Sequence, residues 1–112
     1  MKITDVIRKL GLKVLSGHEG LENEVTGAYV SDLLSDVIGN GREGNVWITL
    51  QGHHNIVAVA SLKDLAAIII VKGIQPDEET IRKSKQENIP LLSTEDDTFT
   101  VAGKLYNLIL KQ

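Results

Sequence analysis

Two adjacent histidines, His53 and His54, stand in the turn Gln51-Gly52-His53-His54-Asn55. Imidazole changes charge near neutral pH, so it can hold an anion, move a proton or ligate a metal. Gly52 allows a tight backbone turn, and Asn55 is suited to cap a following helix. The turn follows the apolar run Asn45-Val46-Trp47-Ile48-Thr49-Leu50 and precedes a helical stretch from Ile56 to Leu65. A second apolar run, Ala67-Ile68-Ile69-Ile70-Val71, is closed by Gly73. That order reads as a βαβ unit, and such strand-to-helix turns are where open α/β sheets meet their ligands. Free N–H groups at the helix start, the helix dipole and a protonated imidazole would all favour a phosphate, a nucleotide or a carboxylate. The competing reading is a capped helix with solvated imidazoles.

Other chemistries fit the residues less well. Adjacent histidines rarely point at one ion, so a metal would need a further ligand such as His18 or Asp32 from another loop; no metal site is expected. Serine, histidine and aspartate are all present, but no nucleophile-elbow pattern joins them, and a triad is a matter of geometry. Gly39-Asn40-Gly41-Arg42-Glu43-Gly44 is a literal G-x-G-x-x-G. It follows a helix and precedes a strand, the reverse of a dinucleotide site, and so reads as a turn. The sequence has no G-x-x-x-x-G-K-[ST] run, which leaves no support for a phosphoryl-transfer core. Neither a catalytic residue nor a cofactor is assigned.

Composition narrows the partners. The chain has 112 residues and a formal net charge of −3, with 12 Lys and Arg against 15 Asp and Glu. Without a basic cluster, nucleic-acid binding is not expected. No apolar run approaches the ~20 residues of a membrane span, and the charged start Met1-Lys2-Ile3-Thr4-Asp5 is unlike a signal peptide. Absence of cysteine removes disulfides, thiolate metal sites and Cys nucleophiles, and suits a cytoplasmic protein.

The elements that must position the turn can be read along the chain. Thr4 caps a first helix carrying Val6, Ile7 and Leu10, which Gly11 ends. Leu12 to Leu15 and Val25 to Val30 read as strands, with Gly27 a bulge or close-approach point. Ser31-Asp32 reads as the cap of a helix through Val37 and Ile38. Residues 56–60 are rich in β-branched types, yet parallel neighbours need a crossover, usually helical, so a buried helix is expected there. Pro76 opens a mostly polar surface helix with Glu78–Arg82 and Glu79–Lys83 pairs, which Pro90 ends. Leu91-Leu92 form a short strand, and Thr94-x-x-Asp97 resembles a capping box. A last helix, 97–110, buries Phe99, Ala102, Tyr106 and Ile109. The expected fold is thus a single α/β domain over residues 1–112, with a mostly parallel sheet flanked by helices. Trp47 points away from Val46 and Ile48; either a helix covers it or it stands in a subunit interface, where Trp is enriched.

The segments 25–37 and 44–51 resemble the DRTGG domain family. So does Ala67-Ile68-Ile69-Ile70-Val71-Lys72-Gly73 with Ile89-Pro90-Leu91-Leu92-Ser93-Thr94 and Asp97-Thr98-Phe99. The family is similar in fold to the N-terminal domain of HPr kinase/phosphorylase and occurs beside CBS domains in regulated pyrophosphatases. The resemblance implies a regulatory or ligand-sensing module, often dimeric, and not a catalytic domain. The signature that names the family is absent, and the turn carries imidazoles where relatives often have a Gly-Asp-Arg-like element. From turn and resemblance together, a non-catalytic homodimer is expected to bind a small anionic ligand such as an adenine nucleotide. His53, His54 and Asn55 would contact it, with Gln51 and Gly52 in the same turn and Ser31 and Gly73 bordering. The alternative is a protein-interaction adaptor docking on a larger, redox enzyme complex, with Trp47 as anchor and no small ligand.

Overall fold

Helices and strands alternate along the chain in a computed structural model that describes residues 1–111. The order is α1 (Ile3–Leu10), β1 (Lys13–Ser16), β2 (Gly27–Val30), α2 (Leu34–Asn40), β3 (Asn45–Thr49), α3 (Asn55–Leu62), β4 (Ala67–Ile70), α4 (Glu78–Glu87), β5 (Leu91–Ser93) and α5 (Thr98–Leu110). A short 3-10 turn, His18–Gly20, lies between β1 and β2. The strands form one five-stranded sheet in the order β1-β5-β4-β3-β2. β2 to β5 run parallel, joined by helical crossovers, while β1 pairs antiparallel with β5. This is the expected α/β fold with a mostly parallel sheet.

Period-2 alternation distributes the strands' side chains between two cores. Val46, Ile48, Ala67, Ile69 and Leu92 face α1 and α5, whereas Trp47, Ile68, Ile70 and Leu91 face the layer of α2 and α3. β3 and β4 are buried at every position, as parallel strands covered on both faces must be.

Several local expectations are corrected. Lys2, not Thr4, precedes α1, with its N–H donated to Asp5. Ser31 and Asp32 do not cap α2, which starts later, after Leu33. Asp97, not Thr94, caps α5: its carboxylate accepts the Thr100 N–H at 2.8 Å. Pro76 lies just before α4, whose N-cap is Asp77. On α4, Arg82 pairs with Glu79 one turn earlier, at i,i+3 spacing. This polar helix docks through hydrogen bonds: buried Thr80 donates to the Gly52 carbonyl at 2.7 Å, and buried Ser84 meets Ser16 at 2.5 Å. The last helix is rotated relative to the expected stripe, because its apolar residues cover more than half of its circumference and the sequence leaves the buried part of that arc open. Val101 and Leu105 are buried, while Phe99 is 87% and Tyr106 65% exposed.

Candidate functional site

Four parallel strands, β2 to β5, place their carboxyl ends along one rim of the sheet. The chain leaves that rim through Ser31-Asp32, Leu50 to His54, Lys72-Gly73 and Thr94 to Asp97. The predicted turn, Gln51 to Asn55, lies on that rim at the exit of β3.

One carboxylate oxygen links the first two exits. Asp32 Oδ1 accepts the Thr49 hydroxyl at 2.9 Å and the Leu50 N–H at 2.7 Å. The Gln51 amide donates to the Asp32 carbonyl at 3.2 Å. Asp32 and Gln51 are thus brought together, and Asp32 serves as a strand-end clasp and not as a helix cap. The Ser31 carbonyl accepts the indole N–H of Trp47 at 2.8 Å. On α2, the hydroxyls of Ser31 and Tyr29 hold the Asp36 carboxyl below its ordinary range, and donation to Asp36 raises the Tyr29 phenol.

The histidines are differently placed. His53 is exposed and His54 half-buried, and their rings lie 4.1 Å apart between centroids. Asn55 is the first residue of α3 and does not cap it; instead His53 Nδ1 accepts the Asn55 N–H at 3.2 Å. A ring accepting at Nδ1 carries its proton on Nε2, which leaves that nitrogen as a donor toward the rim. The N–H groups of Ile56 and Val57 return to the carbonyls of His53 and His54, at 3.1 Å each. The first amides of α3 are thus already partnered, so the side chains remain as the recognition groups. Gly52 packs against Gln75 and Pro76, and its carbonyl accepts the Asp77 N–H at 3.0 Å.

Gly73 turns toward the neighbouring exit. Its N–H donates to the Thr94 carbonyl at 2.9 Å, and a Cβ there would stand 2.7 Å from Glu95 Oε2. Lys72 was missed by sequence reasoning. Lys72 and Gly73 have φ of 60° and 65°, and the Ile74 N–H returns to the Val71 carbonyl at 3.2 Å. This is the pattern of a type I′ turn, unusual at a lysine. It puts a lysine on the rim, close enough to lower the Asp97 carboxyl after the dominant effect of the Thr100 N–H. The positive φ at Lys72 has no signature in a single sequence.

Position separates the other candidates that the sequence offers. His18 follows the carboxyl end of the antiparallel β1, where Ser16 pairs with Leu91 at the start of β5, so it lies at the opposite edge from His53 and His54. Among the described residues, no group of three or more His, Cys, Asp or Glu side chains could hold a metal. The G-x-G-x-x-G segment ends α2 and turns into β3, also at the amino edge, with Gly44 at φ 81°. A cavity of about 490 Å³ at that edge is bordered by Glu24, Glu43, Asp64 and Glu87, an unsuitable lining for an anion. Trp47 is fully buried in the core facing α2 and α3. The covering layer, and not a partner subunit, receives its ring, which removes it as a docking anchor.

Comparison with known proteins agrees with this fold. The family model described as DRTGG domain matches residues 5–108. None of the curated proteins matches the chain. A solved structure of similar fold contains the CBS and DRTGG domains of the regulatory region of Clostridium perfringens pyrophosphatase, complexed with the activator diadenosine tetraphosphate. It has a TM-score of 0.71 and 19% identity, and the match covers 93% of this chain and 47% of that one. This chain thus spans about half the length of that relative. With a family match running through nearly all of its strands and helices, the chain belongs to the DRTGG domain family.

Proposed function

We propose that this protein is a non-catalytic, dimeric, cytoplasmic regulatory module that senses a small anionic ligand, an adenine nucleotide, at the carboxyl rim of its sheet. The observation that carries the reading is the position of the Gln51–Asn55 turn. It sits at a parallel-strand exit, with His53 Nε2 free to donate and Lys72 on the next exit. His53 and His54 would hold phosphate oxygens, and the Lys72 ammonium would add a further donor. Gln51, Gly52 and Asn55 shape the turn, Ser31 borders it through the Asp32 clasp, and Gly73 shapes the neighbouring loop. Because the α3 amides are already partnered, recognition rests on side chains and differs from a P-loop, where backbone N–H groups cradle the phosphates. The similarly folded pyrophosphatase region, solved with diadenosine tetraphosphate, supports a nucleotide as the class of ligand.

The test is thermal shift and titration calorimetry with AMP, ATP, diadenosine tetraphosphate and inorganic phosphate. An adenine nucleotide is expected to raise the melting temperature by mass action. Joint replacement His53→Ala and His54→Ala is expected to weaken binding by about tenfold or more, as loss of charge-assisted contacts does. Unchanged affinity in that variant would sink the site, and a flat response to every nucleotide would sink the ligand class.

A further inference from the structure

The rotation of α5 leaves an apolar groove that the rim site does not use. It is lined by Ala28 and Val30 of β2, Ile48 of β3, and Phe99, Gly103 and Tyr106 of α5, with a volume of about 560 Å³. Phe99 is 87% exposed, Tyr106 65% and Val30 47%. Contiguous apolar surface of this kind marks an interaction site.

We propose that a second copy of this chain docks here, the two α5 helices crossing at Gly103 beside the two β2 edges about a two-fold axis. The inference rests on the dimeric part of the proposed function and assigns its surface.

The lining chooses the occupant. It contains no charged side chain, although the chain has a net charge of −3. About a two-fold axis each patch meets its own copy, so any charge near the axis would face a like charge. A neutral, self-complementary face avoids that repulsion. A nucleic acid, or a protein recognised by charge, would instead require a charged lining.

Gly103 is a second and independent indication. Glycine weakens a helix interior relative to alanine, and a Cβ at this position would meet nothing within 4 Å. Packing within one chain therefore gives no reason for it. A second helix backbone approaching closely does.

The sheet edge completes the surface. β2 is the outermost strand beside β3, and Gly27-Ala28-Tyr29-Val30 carries none of the lysines or prolines that guard a free edge. The area is also adequate. Phe99 and Tyr106 can each bury about 150–250 Å², and with Val30, Ala28 and Ile109 around them they supply much of the about 800 Å² per partner that a specific interface needs.

Sedimentation velocity over a wide concentration range, without ligand, tests the proposal. The wild-type chain is expected to sediment at twice its 12.2 kDa mass. Phe99→Glu with Tyr106→Glu should sediment as a monomer with unchanged circular dichroism, since both side chains are exposed. Gly103→Leu, which has open space in the isolated chain, should also fold and should weaken self-association by about tenfold or more, as loss of a central interface contact does. A wild-type chain that stays monomeric overturns the dimer while leaving nucleotide binding standing. Variants that dimerise as tightly as wild type overturn this surface alone.

Discussion

Asp32 shows how one side chain can organise a rim. Its Oδ1 takes two donors from the end of β3, the Thr49 hydroxyl and the Leu50 N–H, at 2.9 and 2.7 Å. Thr49 is buried, so removing the acceptor leaves its hydroxyl without that partner. Asp32→Ala is expected to destabilise the fold by about 1–3 kcal/mol, the usual result of stranding a buried donor. Chemical denaturation measures it. The same variant should weaken nucleotide binding, because the Gln51 side chain is anchored to the Asp32 carbonyl at 3.2 Å. A destabilised variant with wild-type affinity would show that the clasp is structural only. That Asp32 matters could be guessed from its place after a strand. Its partner could not, because Thr49 lies 17 residues away and only strand pairing brings the two together.

Capping governs the helices and gives the domain an acid limit. Asp97 caps α5 through the Thr100 N–H, and Asp5 accepts the Lys2 N–H at the start of α1. Both carboxyls are lowered, in each case chiefly by the backbone N–H they accept. A carboxyl lowered in the folded state contributes fully above its unfolded value of about 3.9. That contribution fades as pH falls below it toward the folded value. Melting temperature is therefore expected to hold between pH 7 and about 5 and to drop below about pH 4, where unfolded carboxyls take up protons first. Asp97→Asn, whose amide oxygen can still cap, should keep neutral stability and flatten part of the acid drop. An unaltered acid profile in that variant would show that the cap does not set the limit. Helix α5 also marks where local reading stops. Its apolar arc is wider than one buried stripe, so spacing supports more than one, and packing on β2 and β3 selects the one through Val101 and Leu105.

At the scale of the whole molecule, stability rests on two thin cores joined through one sheet. Trp47 is the largest side chain buried completely, and it also ties the β2 exit through its 2.8 Å bond to the Ser31 carbonyl. Trp47→Ala is expected to cost about 3–5 kcal/mol, a large share of the about 5–15 kcal/mol that holds a typical domain. Urea unfolding would measure the loss, and a cost below about 1 kcal/mol would contradict a core in which this ring is central. The two proposed functions lie on different parts of the molecule. Nucleotide would meet the carboxyl rim, and a second chain would cover the α5 and β2 face. Loss of either should therefore leave the other measurable.

The order of elements and the central βαβ unit were legible from the residues alone, because apolar runs, glycines and prolines act locally and their period matches the structure they form. The same signals placed the histidine turn at a strand exit. Sequence reading did not resolve which groups were already occupied. The His53 ring accepts the Asn55 N–H, the α3 amides are partnered, and Lys72 enters the rim in a left-handed turn. Nor did it resolve which apolar faces stay open. Trp47 went inside and Phe99 outside because helix rotation, strand order and the antiparallel β1 depend on contacts between residues far apart in the chain, which no local pattern encodes.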